Sequence, residues 1–364
     1  MRQLNYWNKL NISVLLLLII LSIGVSSCMK PPLDESQEKL LQDIKQFNKT
    51  IGENGWKLNG KSIEKKDISG VHLVNSVWED VDVNAVKAVS SRFESCNFTR
   101  VKFAGTDMSG SIFVGCIFND CKFIGSKFKE TTFSQCTFIQ SQFENADLSK
   151  SLCQNLTLSE INAKDVEWQN AKLINVSFNK CEYEEVSYTH SNLSNVSFSE
   201  SKLVNNDFSD SELKQCNFNI EGDVISFLDS KFEHLTITGN PKINDLKLAG
   251  IKGSGLIIEN LNESEFLTMS FAEVYGLRLI NSSLSLTSCI SASFTNSIFQ
   301  NITFSFAQFD GSKFTNASFD NVTFIDEIIF DDSIFEGIKF TNIKKSSDYH
   351  GSFKNTMFDG KEPF

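Results

Sequence analysis

The sequence predicts an all-β solenoid, and three observations support this. An apolar residue recurs at every fifth position from Phe93 to Phe218, over 26 consecutive pentads, and 14 of these central residues are Phe. A small or β-branched residue stands two positions before the central one, and side chains two apart in an extended segment share a face. The other two positions are rich in Ser, Asn, Asp, Lys and Gly, which favour turns. Neither a helix nor a long strand has period five, so the chain is expected to turn at each pentad and stack coil on coil.

The first 27 residues are predicted to be a signal peptide. Arg2 and Lys9 precede an apolar stretch of about 14 residues ending at Val25, which is short for a membrane span. The segment from Val25 to Cys28 resembles a bacterial lipobox. This resemblance implies that Cys28 becomes the mature N-terminus and carries acyl chains such as palmitate. An uncleaved anchor and a cryptic hydrophobic N-terminus are the alternative interpretations.

Residues 28–57 are predicted to form a tether and a capping helix. Pro31 and Pro32 would form the tether, followed by a helix from Asp34 to Thr50. Its charges are mixed rather than basic, which favours a solenoid cap over a helix lying on a membrane. Apolar residues recur at helical spacing at Leu40, Leu41, Ile44, Phe47 and Ile51.

The pentads from Cys96 onward, such as Cys-Asn-Phe-Thr-Arg and Cys-Thr-Phe-Ile-Gln, resemble the pentapeptide-repeat family. The family consensus has a central Leu or Phe, with Ala, Cys, Ser, Thr or Val two before it. The resemblance implies a right-handed quadrilateral β-helix with four pentads per coil, and hence about 15 coils over about 300 residues. It covers residues 58–220 and a second run over residues 279–343.

Between these runs, residues 221–278 are predicted to form degraded repeats interrupted by small loops. Leu256, Leu261, Phe266 and Phe271 share one phase there and are interpreted as central residues. A domain boundary is the alternative. Farther along, the phase slips by one residue after Phe324, which predicts a bulge near 326–327, and residues 344–364 are predicted to be a cap or tail. The expected loops are marked by Gly222, by Gly239-Asn240-Pro241 and by Gly253-Ser254-Gly255.

The chain has nine cysteines, and the eight other than Cys28 are predicted to be buried free thiols, because their phase points them inward. The string from Gly55 to Ser62 matches a phosphate-binding loop, but it follows a predicted helix instead of a buried strand, which argues against that function. Four scattered His provide no pair at coil spacing. We therefore predict no catalytic residues, no metal site and no cofactor. Two groups of acids are interpreted as solvated rather than as calcium ligands: Glu182, Glu184 and Glu185, and Asp326, Glu327, Asp331 and Asp332.

The predicted function is that of a non-catalytic, lipid-anchored scaffold of the bacterial envelope. The net charge of −11 argues against nucleic-acid binding. The expected partners are the membrane, through Cys28, and an unidentified protein, and a homodimer is expected only by analogy with relatives. The polar corner positions between Phe93 and Phe218 would carry the protein contacts. Met29 after the cysteine favours the outer membrane over the inner one. Two alternatives are a host-directed effector and a DNA mimic resembling the Qnr-type proteins, which bind gyrase.

Overall fold

The computed structural model describes residues 57–262 and 264–359, except for the side chains of 240 and 241. The predicted signal peptide, Cys28 and the predicted capping helix lie outside the described residues. Within them the chain forms strands and turns and no helix, as an all-β solenoid of the right-handed type with about 15 turns. It divides into two compact units, Met1–Leu152 and Cys153–Phe364.

The first unit is built from strands of three residues each. Central residues are buried, and the residues on either side of them are exposed or half-buried. This is the inward and outward alternation that the pentads predict. The strands are β1 (Lys57–Asn59), β2 (Ser62–Glu64), β3 (His72–Val74), β4 (Val77–Glu79), β5 (Asp82–Asn84), β6 (Arg92–Glu94), β7 (Asn97–Thr99), β8 (Lys102–Ala104), β9 (Ile112–Val114), β10 (Ile117–Asn119), β11 (Lys122–Ile124), β12 (Thr132–Ser134), β13 (Thr137–Ile139) and β14 (Gln142–Glu144).

Successive turns pair in parallel, with partners twenty residues apart. Phe98 lies beside Phe118, and Phe118 lies beside Phe138. Each turn contributes three strands and one isolated bridge, such as that of Asp107 with Lys127. The constant step brings identical pentad positions together, so inward-facing side chains stack on inward-facing side chains.

Stacked phenylalanine rings fill the interior of the first unit. Phe123 lies between Phe103 and Phe143, with ring centroids 5.1 and 4.6 Å away. It also meets Phe118 and Phe128 edge to face, at 5.6 and 5.5 Å. Both geometries are favourable for aromatic pairs, which explains why a phenylalanine-rich core suits this repeat.

The residue two before the centre also points inward, and its small polar group binds the backbone. The Ser111 hydroxyl donates to the Ala88 carbonyl at 2.7 Å, and the Thr131 hydroxyl donates to that of Met108 at 3.0 Å. These residues are buried, so an unbonded hydroxyl there would be costly. Ser, Thr and Cys are therefore accommodated as readily as Val or Ala.

The fifth residue of most pentads turns the corner in the left-handed conformation. Asn75, Asp80 and Arg100 have φ near +50°. Asn and Asp tolerate this region better than other side chains, and Gly occupies it freely. The polar turn positions of the repeat are thus set by the backbone.

The second unit is also a parallel ladder, with longer strands that run through some corners. β15 begins at the last residue of the first unit. The strands are β15 (Leu152–Ser159), β16 (Asn162–Lys164), β17 (Lys172–Asn179), β18 (Glu182–Glu184), β19 (Asn192–Val204), β20 (Asn206–Asp207), β21 (Glu212–Ser226), β22 (Lys231–Lys247), β23 (Lys252–Glu259), β24 (Ser264–Thr268), β25 (Glu273–Tyr275), β26 (Arg278–Ser288), β27 (Ser293–Thr295), β28 (Ile298–Gln308), β29 (Lys313–Thr315), β30 (Ser318–Phe324), β31 (Glu327–Ile329), β32 (Ile334–Glu336), β33 (Lys339–Thr341), β34 (Lys344–Lys345), β35 (His350–Ser352) and β36 (Met357–Phe358).

The loops expected over residues 221–278 are replaced by strands of uneven register. Glu212 pairs with Lys231, Lys231 with Lys252, and Lys252 with Glu273, so the step is one residue short once and one residue long twice. These steps account for the phase changes in the sequence. The expected loop markers 222, 239–241 and 253–255 lie inside β21, β22 and β23.

Two residues predicted to be central point outward instead. Phe266 and Phe271 are exposed, while Leu267 and Met269 between them are buried. The interpretation was wrong because the long register steps move the inward position by one residue in this turn.

The extra residue near 326 is present, since Phe304 pairs with Phe324 but Ala307 pairs with Ile328. The described part of the tail continues the ladder, with β34, β35 and β36 pairing to β30, β31 and β32.

Candidate interaction surfaces

The string that resembles a phosphate-binding loop forms part of the ladder where it is described. Its residues from Lys57 onward form β1, a corner at Gly60 and the start of β2, with no helix after them. The Gly60 amide donates to the Glu79 carbonyl at 3.1 Å, so it is not free to bind a phosphate. This agrees with the sequence argument against nucleotide binding.

Eight cysteines, all in the described part of the chain, are buried and free, as predicted. The Cys116 thiol lies against the Phe93 carbonyl at 3.4 Å, in the same way that the Ser and Thr hydroxyls donate. The neighbouring Cys136 thiol is the main cause that raises the pKa of Cys116, to about 12. Burial raises the pKa of Cys121 to about 12. Thiols of this kind are poor nucleophiles and poor metal ligands. The eight are Cys96, Cys116, Cys121, Cys136, Cys153, Cys181, Cys216 and Cys289.

Surface charges of adjacent turns form ladders of ion pairs. Lys164 Nζ lies 2.8 Å from the carboxylate of Glu184. The Arg100 guanidinium contacts Asp80 and Glu79, each at 2.6 Å. All of these groups are substantially exposed, so each pair contributes little stability. They do fix the positions of charges on an otherwise regular surface.

Some acidic groups on adjacent turns face one another instead. Glu185 lies on the turn next to that of Asp165. A hydrogen bond between the two carboxyl side chains requires a proton, so it raises the pKa of Glu185. Burial, with Asp331 and Asp332 nearby, raises the pKa of Asp310. These pairs concentrate negative potential at particular corners.

Several of the acids and histidines singled out in the sequence make local contacts. Asp331 accepts from the Ser352 hydroxyl at 2.6 Å, which lowers its pKa. His72 contacts Glu94 at 2.9 Å. In the part of the chain that the structure describes, three or more potential ligands nowhere come together as a metal site.

Two amide ladders decorate corners of the second unit. The Asn195 side chain donates to Asn175 at 3.0 Å, and Asn175 donates to Asn155 at 2.9 Å. The same arrangement links Asn321 to Asn301, at 2.9 Å. These ladders present identical polar groups at a regular step.

A row of exposed apolar side chains was missed in the sequence. Phe266, Leu286 and Phe306 are register partners in consecutive turns of the second unit, and all three are exposed. A signal was available, because an apolar fifth residue recurs at a spacing of twenty. It was hidden by the neighbouring phase change.

Residues 57–262 and 264–359 contain no helix with the length and apolarity to cross a membrane.

Two pentapeptide-repeat family models match the chain. The model described as a pentapeptide repeat region matches residues 111–188, and the model described as pentapeptide repeats (8 copies) matches residues 79–115, 189–219 and 287–324. The chain therefore contains pentapeptide-repeat domains, as the sequence predicted. A comparison with curated protein sequences gave no match.

Similar solved structures include other pentapeptide-repeat solenoids. Full-length QnrB1, described as a plasmid-mediated fluoroquinolone resistance protein, is 18% identical, with a TM-score of 0.22 over 56% of this chain and 93% of its own. HetL, involved in heterocyst differentiation regulation in the cyanobacterium Nostoc sp. strain PCC 7120, is 13% identical, with a TM-score of 0.22 over 66% of this chain and 95% of its own. A mannuronic acid specific polysaccharide lyase from human gut microbiota is 8% identical, with a TM-score of 0.35 over 78% of this chain and 85% of its own. Likeness at this level carries no argument about activity.

Proposed function

We propose that this protein is a non-catalytic, lipid-anchored scaffold that presents a β-solenoid to a protein partner in the bacterial cell envelope. The observation that carries this proposal is the regular ladder of the repeat. It places the central residues and the cysteines inside and, over most turns, repeats polar corner residues outside at a step of twenty residues. Such a surface suits recognition by many small contacts, because a solenoid offers an extended face with little conformational freedom to lose on binding.

The anchoring part of the proposal rests on the sequence. Acyl chains on Cys28 would hold the molecule durably, since a single chain alone gives marginal attachment. A capping helix over residues 34–50 would then cover the first exposed turn. The outer membrane is favoured over the inner one. A four-sided cross-section is part of the same proposal, and the three strand columns and one bridge column of each turn support it.

The contact surface is assigned to the polar corners between Phe93 and Phe218. Asn175 and Asn195 represent it, since their amides form a regular exposed row. The ladder of Asn301 and Asn321 has the same chemistry and lies outside this range. The two ladders therefore provide a matched pair for an experiment.

The test is site-specific photocrosslinking in the native bacterium, with the crosslinking residue at 195 or at 321. We expect a discrete protein adduct from the membrane fraction at 195, a weaker one or none at 321, and loss of both membrane association and adduct in Cys28→Ala. A protein that fractionates with the cytosol, or adducts of equal yield at the two sites, would contradict the proposal. A cytosolic gyrase adduct would favour the DNA-mimic alternative, and recovery from host cells would favour the effector.

A further inference from the structure

One corner of the second unit bears apolar side chains that neither the turn nor the core requires. Phe266, Leu286 and Phe306 are 43%, 42% and 46% exposed and lie one above another. At the usual spacing of stacked strands, the row is about 10 Å long from first to last. Isolated exposed apolar residues are ordinary, but a continuous row is a mark of an interaction site.

The backbone at this corner is also unusual. At another corner of the same turns, Asn281 and Asn301 take the left-handed conformation that turns the chain. Leu286 and Phe306, the fifth residues of later pentads in the same strands β26 and β28, do not have positive φ. Residues outside the left-handed region could be polar at no cost, so the apolar row has no structural explanation.

The row forms one wall of a groove of about 310 Å³. Each residue of the row is followed in the sequence by a buried residue that also lines the groove: Leu267, Thr287 and Ala307. Gln308 and Glu327 line its polar side. The Thr287 side chain is only 4% exposed and closes the floor of the groove.

The surroundings of the groove are acidic. Glu265 is exposed beside Phe266, and Glu327 is exposed at the other end of the row. Asp326 lies next to it and accepts a hydrogen bond from the Ser305 hydroxyl at 2.5 Å. Basic groups on a partner would therefore be attracted to both ends of the apolar row.

We propose that this groove binds an amphipathic α-helix of a partner protein, with apolar residues at i, i+4 and i+7 and Lys or Arg beside them. The pitch of an α-helix, about 5.4 Å, is close to the spacing of about 4.8 Å between turns of the solenoid. Successive turns of a bound helix would therefore meet successive residues of the apolar row. A peptide strand would lack backbone partners, because β26 and β28 are already bonded to their neighbours on both sides. Leu286 interrupts the two rings, so the row is not a series of aromatic platforms for sugars. This inference rests on the proposed scaffold function and adds to it a second binding site, apart from the polar corners between Phe93 and Phe218.

The test measures binding of synthetic peptides to the full chain by fluorescence anisotropy. The probe is a peptide of about 18 residues with a Leu stripe at helical spacing and flanking Lys. We expect Phe266→Ser combined with Phe306→Ser to raise its Kd at least about tenfold, as loss of central interface residues does. Phe271→Ser removes an equally apolar ring, 63% exposed but off the row, and should leave the Kd unchanged. A peptide with Glu in place of Lys should bind about tenfold more weakly at low salt.

Each alternative occupant gives a contrary result. Equal binding of a scrambled peptide, or of the double variant, would overturn the inference. So would oligosaccharide binding, or self-association of the chain, that is lost in the double variant while the peptide does not bind. If crosslinking at 195 still captures its partner, the scaffold proposal survives and only the groove is rejected. If the peptide binds as expected but no adduct forms at 195, the groove stands and the proposed contact surface is wrong.

Discussion

Replacing Phe123 by Ala tests the idea that stacked rings hold neighbouring turns together. The ring is fully buried and lies between Phe103 and Phe143, at 5.1 and 4.6 Å. Its removal leaves a cavity that the regular backbone of the ladder cannot close. The loss should extend to the turns above and below, because turns of a solenoid are stabilised by their neighbours.

The expected cost follows from these contacts. Truncating a buried Phe to Ala costs about 3–5 kcal/mol. Each well-oriented ring pair contributes about 0.5–1.5 kcal/mol beyond burial, and Phe123 makes two stacked and three edge contacts. We therefore expect the upper part of the range, about 4 kcal/mol or more.

Hydrogen exchange reads this loss locally. The Lys122 amide donates to the Val101 carbonyl at 3.0 Å, and the Gln142 amide donates to that of Cys121 at 2.9 Å. Each bond joins the turn that contains residue 123 to one of its two neighbouring turns. A loss of 4 kcal/mol should accelerate exchange there about a thousandfold, since 1.4 kcal/mol is a factor of ten. The Asp82 amide, bonded to Lys61 at 2.9 Å in an earlier turn, should change much less.

Phe271→Ala is the control, because this ring is 63% exposed and its loss should change stability by less than about 0.5 kcal/mol. An acceleration below about tenfold at both reporter amides of Phe123→Ala would refute the stacking argument. A uniform acceleration, with the Asp82 amide affected as strongly, would refute nearest-neighbour stabilisation.

Three further predictions follow from buried groups and close contacts. Because Cys121 has its pKa raised to about 12 by burial, its thiolate fraction at pH 8 is on the order of one in ten thousand, and rapid alkylation of the native chain would contradict its placement inside. Gly253→Ala would bring a Cβ to 2.0 Å from the Phe232 carbonyl oxygen, so it should lower the free energy of unfolding by about 2 kcal/mol or more, measured by denaturant titration. Gly125 is the control, because its φ is +60° and a Cβ there would meet nothing within 4 Å. Gly125→Ala should therefore cost only about 1 kcal/mol. Lys61→Ala should leave nucleotide retention at the background of the parent chain, because its string forms strands, and nucleotide binding that this change abolishes would contradict the account.

The period of five was enough to predict the fold between Phe93 and Phe218, because only a coil that turns at every pentad keeps all the central residues inside. It also placed the cysteines, because six of them stand two before the centre and two, Cys153 and Cys289, stand at the centre, and both positions point inward. The same reasoning failed at Phe266 and Phe271. There the register of neighbouring turns, not the residue type, decides which side chain faces inward, and a step of 21 residues cannot be separated from a loop by sequence alone.

The interaction surface was less predictable than the core. Polar corners could be expected from their composition, but the corner at Leu286 differs because its backbone does not take the left-handed conformation there. Local propensity does not reveal this, since the same pentad can take either path. The groove follows from that path and from three apolar residues spaced twenty apart.

The mass of the mature N-terminal peptide tests the central proposal most directly, with Cys28→Ala as the matched variant. The account predicts a peptide that begins at Cys28 and carries two or three acyl chains, together with loss of processing in the variant. An intact Met1 without lipid would contradict envelope anchoring and would direct the search for partners to the cytosol, with gyrase supercoiling as the next assay.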